Sequence, residues 1–145
     1  MARLLTLSTH EMAQSNWIET AWQQPVQRVF WMYGVPATAW RGGHRHHSCR
    51  MVLQCVTGSV AVYVQTPTTD QYFTLDSSDG YFFLDPQDWR LMHRFSPDAL
   101  LIVFASKPFE TTIYYEQPYR SFDLDQVVTA TVTAERLTRP DTAAG

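Results

Sequence analysis

Cysteine is scarce in this chain of 145 residues: there are two, Cys49 and Cys55. They form neither a C-x-x-C pair nor part of a zinc-ligand cluster. On one strand they would lie roughly 20 Å apart at about 3.3 Å per residue, beyond the reach of a disulfide. The expectation is two reduced thiols and a cytoplasmic setting. Charge is sparse as well, at 17% Asp, Glu, Lys and Arg with a net charge of -3, so there is no basic patch of the kind nucleic acid selects. No apolar run reaches transmembrane length, which argues against a membrane partner. The start, Met1-Ala2-Arg3-Leu4-Leu5, turns polar too soon for a signal peptide. Internal repeats, low-complexity blocks and linkers are missing too. Residues 1–145 are therefore read as a single domain with its core at about 25–122 and a frayed tail at 139–145.

What the chain has in quantity is short strand signals. Val26 to Tyr33, Met51 to Val56, Val60 to Gln65, Tyr72 to Leu75, Tyr81 to Leu84, Trp89 to Phe95 and Leu100 to Ser106 are each closed by Gly, Pro, Asp or Ser. Leu100 to Ser106 is continuously apolar and reads as a strand buried on both faces. The pattern predicts an all-β, antiparallel jelly roll. Helix signals are few. Ser8-Thr9-His10-Glu11 could cap one turn. The stretch from Asp123 to Leu137 is open: its acidic start favours a helix, its Val and Thr content a strand.

The densest chemistry is Arg41-Gly42-Gly43-His44-Arg45-His46-His47. Two histidines at i and i+2 of a strand share a face. Such a pair can bind a metal or move protons near neutral pH, and a solvated turn with no chemistry fits the spacing equally well. A metal would need a nearby acid, but Ser48, Cys49, Arg50 and Met51 supply none. His44 and His46, with His93 as a distant third, would make a weak divalent site. Enolisation beside a ketone asks only for a base and a proton donor. Trp31, Tyr33, Tyr63, Phe83, Trp89 and Tyr115 are candidate wall residues for stacking a ring or nucleobase; ordinary core packing explains any one of them. Arg28 and Arg41 are the anion-binding candidates. Arg28 interrupts an apolar strand, where a charge needs a partner: a diphosphate, or a nearby carboxylate.

The sequence resembles the cupin-fold sugar 3,4-ketoisomerases (the FdtA/QdtA, or WxcM-like, group) over residues 25–122. The resemblance rests on Arg28 in its strand, Arg41-Gly42-x-His44-x-His46, the turn Gly58-Ser59, Pro86-x-x-Trp89-x-x-Met92-x-x-Phe95-Ser96 and Leu101-x-Val103-x-Ala105-Ser106. It implies a cupin (RmlC-like) jelly-roll barrel and a homodimer, often with exchanged N-terminal strands. It implies a dTDP-linked 4-keto-6-deoxyhexose as ligand and no metal or cofactor. It also implies transfer of the keto group from C4 to C3 through an enediol, in deoxysugar and polysaccharide biosynthesis. His44 and His46 map to the proton-transfer pair, with His46 written as base and His44 as partner, an order the sequence leaves open. Arg28, Arg41, Tyr33, Trp89 and Tyr115 are the substrate-binding candidates.

Several family positions differ. His10 to Asn16 lacks an Asp-x-Arg-Gly-type motif, Phe30-Trp31 replaces a tyrosine pair, Met51 replaces Gln, and Ile113-Tyr114-Tyr115-Glu116 replaces Asp-Tyr-Ile-Arg. Tyr33 is the candidate replacement for the missing phenol. Two other readings stand beside it: a non-catalytic cupin that binds a sugar or nucleotide sugar, which these differences favour, and a metal-dependent cupin oxygenase, which the histidine pair raises.

Overall fold

The computed structural model describes residues 2–5, 17–109 and 113–138. The possible cap at Ser8 to Glu11, the His10 to Asn16 stretch and the tail at 139–145 lie outside them. Among the described residues ten strands and two helices follow in chain order: β1 (Arg3–Leu5), α1 (Trp17–Trp22), β2 (Arg28–Tyr33), β3 (Arg41–His46), β4 (Met51–Thr57), β5 (Ser59–Gln65), β6 (Asp70–Asp76), β7 (Tyr81–Leu84), β8 (Trp89–His93), β9 (Leu100–Ala105), β10 (Tyr114–Tyr115) and α2 (Leu124–Thr138).

The strands form two five-stranded sheets, ordered β1-β7-β4-β9-β2 and β10-β3-β8-β5-β6. Every pairing is antiparallel. The sheets face each other as an all-β jelly roll. Between them lies one core, to which alternate residues of each strand contribute: Met51, Leu53 and Cys55 from β4; Val60, Val62 and Val64 from β5; Leu101, Val103 and Ala105 from β9. Cys49 and Cys55 are both free and buried.

Helices seal parts of the outer faces. Ile18 and Trp22 of α1, four apart on one helical face, pack with Val52 and Phe83 on the first sheet. The helix stops at Gln23, whose φ of 57° is left-handed. On the second sheet Tyr63, Trp89 and Leu91 pack with Val127 of α2. That cover explains why β8 is buried throughout.

The stretch from Asp123 is a helix. The Asp123 carboxylate accepts from the backbone N–H groups of Asp125 (2.9 Å) and Gln126 (3.2 Å), a side-chain cap. Its interior threonines do not break it, because Thr129, Thr131 and Thr133 each turn a hydroxyl back to the carbonyl four residues earlier. The strand β9 departs from its sequence reading. Its burial alternates, with Leu100, Ile102 and Phe104 only half-buried. It is paired on both sides, yet among the described residues no helix covers the β2 side of that face. Trp89 to Phe95 is likewise shorter as a strand, ending at His93; Arg94 takes a φ of 50°.

Candidate active site

A cavity of ≈ 500 Å³ opens between the sheets, lined by β2, β3, β4, β7, β8, β9 and β10. Its walls are chiefly apolar: Phe30, Met32, Met51, Leu53, Leu84, Met92, Val103 and Phe109. Four polar side chains enter it: Arg28, His44, Arg90 and Tyr114. An apolar pocket with few convergent polar groups is the usual form of a small-molecule site.

The histidines reach it through β3. Gly42 and Gly43 have φ of 86° and 75°, and the β3–β8 register shifts between Gly42 and His44. Gly42 also sits where a Cβ would stand 2.9 Å from the Arg90 carbonyl oxygen. This irregular start brings β3 close to β8 and leaves His44 and His46 on the inner face. Their rings meet edge to face, with centroids 4.9 Å apart. Tyr114 packs against both, at 4.7 Å from His44 and 5.0 Å from His46. His44 lines the cavity; His46 does not, and is 1% exposed. Neither ring nitrogen of His46 has a hydrogen-bond partner among the described residues.

Arg90 is the fully buried charge of this site. Its Nε donates to the Asp88 carbonyl at 2.8 Å and its Nη2 to the Asp85 carbonyl at 3.0 Å. Nη1 points at the Met51 thioether, 3.8 Å away. Burial pulls its pKa down to about 10, so it is still a cation at neutral pH. Burial, and then the Arg90 charge, hold His44 below the usual histidine value. The same two causes, with His44 third, push His46 down to about 2. Both imidazoles are therefore neutral at pH 7: one ring nitrogen can accept a proton and the other can donate.

Arg28 sits on β2, with its guanidinium 5.0 Å from the Phe30 ring and 5.5 Å from the Phe109 ring. No Asp or Glu among the described residues pairs with it, and its buried Nε has no partner there. It is thus an available cation at the cavity wall.

The other substrate-binding candidates lie elsewhere. Arg41 is exposed and bonds the Trp40 carbonyl at 2.9 Å. Tyr33 is 72% exposed. Strand alternation turns Phe30 and Met32 inward and sends Trp31 and Tyr33 to the outer face, so Tyr33 does not stand in for an inner phenol. Trp89 belongs to the packing beneath α2 and donates from Nε1 to the Glu116 carbonyl at 2.9 Å. Tyr115 lies on the outer face of β10, against Arg45 and His47. Tyr63 and Phe83, read as walls, also belong to outer clusters. His93 alternates outward from Arg90 and Met92, away from the histidine pair. No group of three or more His, Cys, Asp or Glu among the described residues is placed to hold a metal ion.

Sequence reasoning passed over Arg90 and Tyr114. A signal for Arg90 was present: it interrupts the apolar run Trp89-Arg90-Leu91-Met92 as Arg28 interrupts its own. For Tyr114 there was none, because a two-residue strand has no readable phase.

Residues 5–125 match the sequence model of the WxcM-like, C-terminal family (FdtA). The chain belongs to this family. Among WxcM-like relatives, a TDP-4-oxo-6-deoxy-alpha-D-glucose-3,4-oxoisomerase of Aneurinibacillus thermoaerophilus is 33% identical over 92 residues, which is 63% of this chain and 66% of that one. The QdtA sugar 3,4-ketoisomerase from Thermoanaerobacterium thermosaccharolyticum, solved with TDP, superposes with a TM-score of 0.59 at 25% identity over 75% of each chain. A 3,4-ketoisomerase from Helicobacter canadensis gives a TM-score of 0.60 at 24% identity, covering 76% of this chain and 78% of its own. This WxcM-like chain accordingly has the cupin-type jelly roll of those proteins. No helix among its described residues is long and apolar enough to cross a membrane.

Proposed function

We propose that the protein is a sugar 3,4-ketoisomerase acting on a TDP-linked 4-keto-6-deoxyhexose, in deoxysugar and polysaccharide biosynthesis. The observation that carries this reading is the cluster His44, His46 and Tyr114 beside the buried Arg90 cation, inside an apolar cavity. The names of the family relatives point the same way.

The chemistry needs no external oxidant. A base removes the C3 proton while a donor protonates the C4 oxygen, giving an enediol. Return of a proton to C4 and loss of the O3 proton leave the ketone at C3. In our reading His44, the imidazole that lines the cavity, takes the C3 proton. The Tyr114 hydroxyl, which also lines the cavity, supplies the carbonyl proton, with His46 packed against it as partner; this reverses the order written from sequence. What favours this order is that His44 lines the cavity whereas His46 does not and is 1% exposed. Arg90 stabilises the negative charge that develops on the enediolate in a dry site. Arg28 takes the diphosphate through its guanidinium fork. The reaction asks no metal or other cofactor of the protein.

We also infer a homodimer. Val29, Trp31 and Tyr33 leave an apolar stripe, 51%, 68% and 72% exposed, on the terminal strand of one sheet. A single cupin domain and a cytoplasmic setting complete the proposal; the two free, buried thiols fit the latter.

The test is direct turnover. Incubation with TDP-4-keto-6-deoxyglucose, followed by NMR, is expected to show a 3-keto product. TDP binding without product would move the protein to the class of non-catalytic nucleotide-sugar cupins.

A further inference from the structure

We infer that Arg45, Tyr115 and His47 form a clamp on the outer face of β3 that positions Tyr114 against the histidine pair. The inference rests on the isomerase reading and adds residues that never touch the cavity.

The strand β10 carries Tyr114 but holds little by itself. It has two residues and pairs with β3 alone, Tyr114 opposite His46 and Tyr115 opposite Arg45. A ladder this short is marginal without side-chain support. One more backbone bond helps, from the His47 N–H to the Ile113 carbonyl at 3.0 Å.

Strand alternation splits the pair into two layers. On the inner face His44, His46 and Tyr114 meet ring to ring. On the outer face the next residue of each strand forms a second cluster. The Arg45 guanidinium lies 4.3 Å from the Tyr115 ring and 5.3 Å from the Tyr119 ring. The Tyr115 hydroxyl is 3.0 Å from His47 Nδ1. Beyond it the Glu116 carbonyl is held by Trp89 Nε1 at 2.9 Å, and the Tyr119 hydroxyl donates to the Gln87 carbonyl at 2.8 Å. The chain carrying Tyr114 is thus gripped from outside at consecutive residues. Because Tyr115 and Tyr114 are neighbours in one extended segment, a shift of one ring moves the other. Arg45 and Tyr115 are therefore positioning residues for the proton-transfer cluster.

The experiment compares Arg45→Ala, Arg45→Lys, Tyr115→Phe and Tyr115→Ala with the wild type. The measurements are kcat, KM, TDP affinity and thermal midpoint. Displacing a catalytic group by about an ångström costs up to ~100-fold in rate. Arg45→Ala and Tyr115→Ala are expected to lower kcat by ~10- to 100-fold, with KM, TDP affinity and midpoint little changed. Arg45→Lys, which keeps the cation, is expected to recover most of the turnover, and Tyr115→Phe, which keeps the ring but loses the hydroxyl that meets His47, only part of it. The clamp is overturned if Arg45→Ala turns over like the wild type, or if kcat, affinity and midpoint fall together as in general destabilisation. Should Arg45→Ala not fold, the Tyr115 pair carries the same contrast. An inert wild type would sink the isomerase reading itself; an active wild type with an indifferent Arg45→Ala sinks only the clamp.

Discussion

At the scale of single residues, the site is a problem in burying charge. Arg90 is enclosed with no carboxylate among the described residues bonded to its guanidinium; carbonyls and a thioether take its N–H groups instead. Breaking up such an arrangement is costly in general, and its retention in an apolar cavity points to use rather than to stability. Burial, and after it the Arg90 charge, keeps His44 neutral. The sign of the pH dependence follows. A base works when unprotonated, and His44 titrates below 6.5, so the acid limb of kcat/KM lies below that value. Arg90→Met removes a cation that opposes protonation, so the acid limb moves up in pH while turnover falls. A pH–rate profile of both proteins checks this. An acid limb that stays in place in Arg90→Met would separate the arginine from the histidines. The histidine pair was legible in the sequence because spacing alone puts i and i+2 on one strand face. Which histidine meets the cavity was not legible, since that depends on depth along a strand whose start is irregular.

At the scale of elements, β3 is the decisive one. The double glycine Gly42-Gly43, both left-handed, sets the irregularity from which His44 and His46 project. Gly42→Ala would strain the backbone and press a methyl to 2.9 Å from the Arg90 carbonyl. The left-handed φ alone costs on the order of 1–3 kcal/mol. We predict a lower thermal midpoint together with a loss of turnover, read by calorimetry and by the NMR assay. Alanine tolerated at both readouts would mean that the irregularity is incidental to the site. Elements were largely legible where turn residues bounded the pattern: β2, β4, β5, β7 and β9 lie close to their sequence bounds. The failures have physical causes. The alternation of β2 was visible, but its phase relative to the cavity was not, so Trp31 and Tyr33 were read as walls. The helix α2 carries strand-favouring Val and Thr, and what decides it is the Asp123 cap and the packing of Val127 onto the second sheet.

At the scale of the whole molecule, the two sheets differ in what covers them. Among the described residues, the second sheet is covered by α2, while the first is covered by α1 only in part. The bare strip on β2 carries Trp31, 68% exposed. If a second copy closes it, Trp31→Lys is expected to shift the protein from dimer to monomer in sedimentation or light scattering. A monomeric wild type, or a dimer indifferent to this change, would place any interface elsewhere. The jelly roll itself was readable from strand count and turn residues. The cavity was not, because its lining comes from seven strands whose register only the fold supplies.

The account turns on whether the cavity removes a proton next to a ketone. Solvent isotope exchange measures that step without requiring the full reaction. Wild type and His44→Asn would be incubated with TDP-4-keto-6-deoxyglucose in D2O, and the C3 proton followed by NMR. The account predicts deuterium at C3 and a 3-keto product with the wild type, and exchange at least ~100-fold slower in His44→Asn with TDP still bound. Wild-type protein that binds TDP and leaves the C3 proton untouched would contradict it.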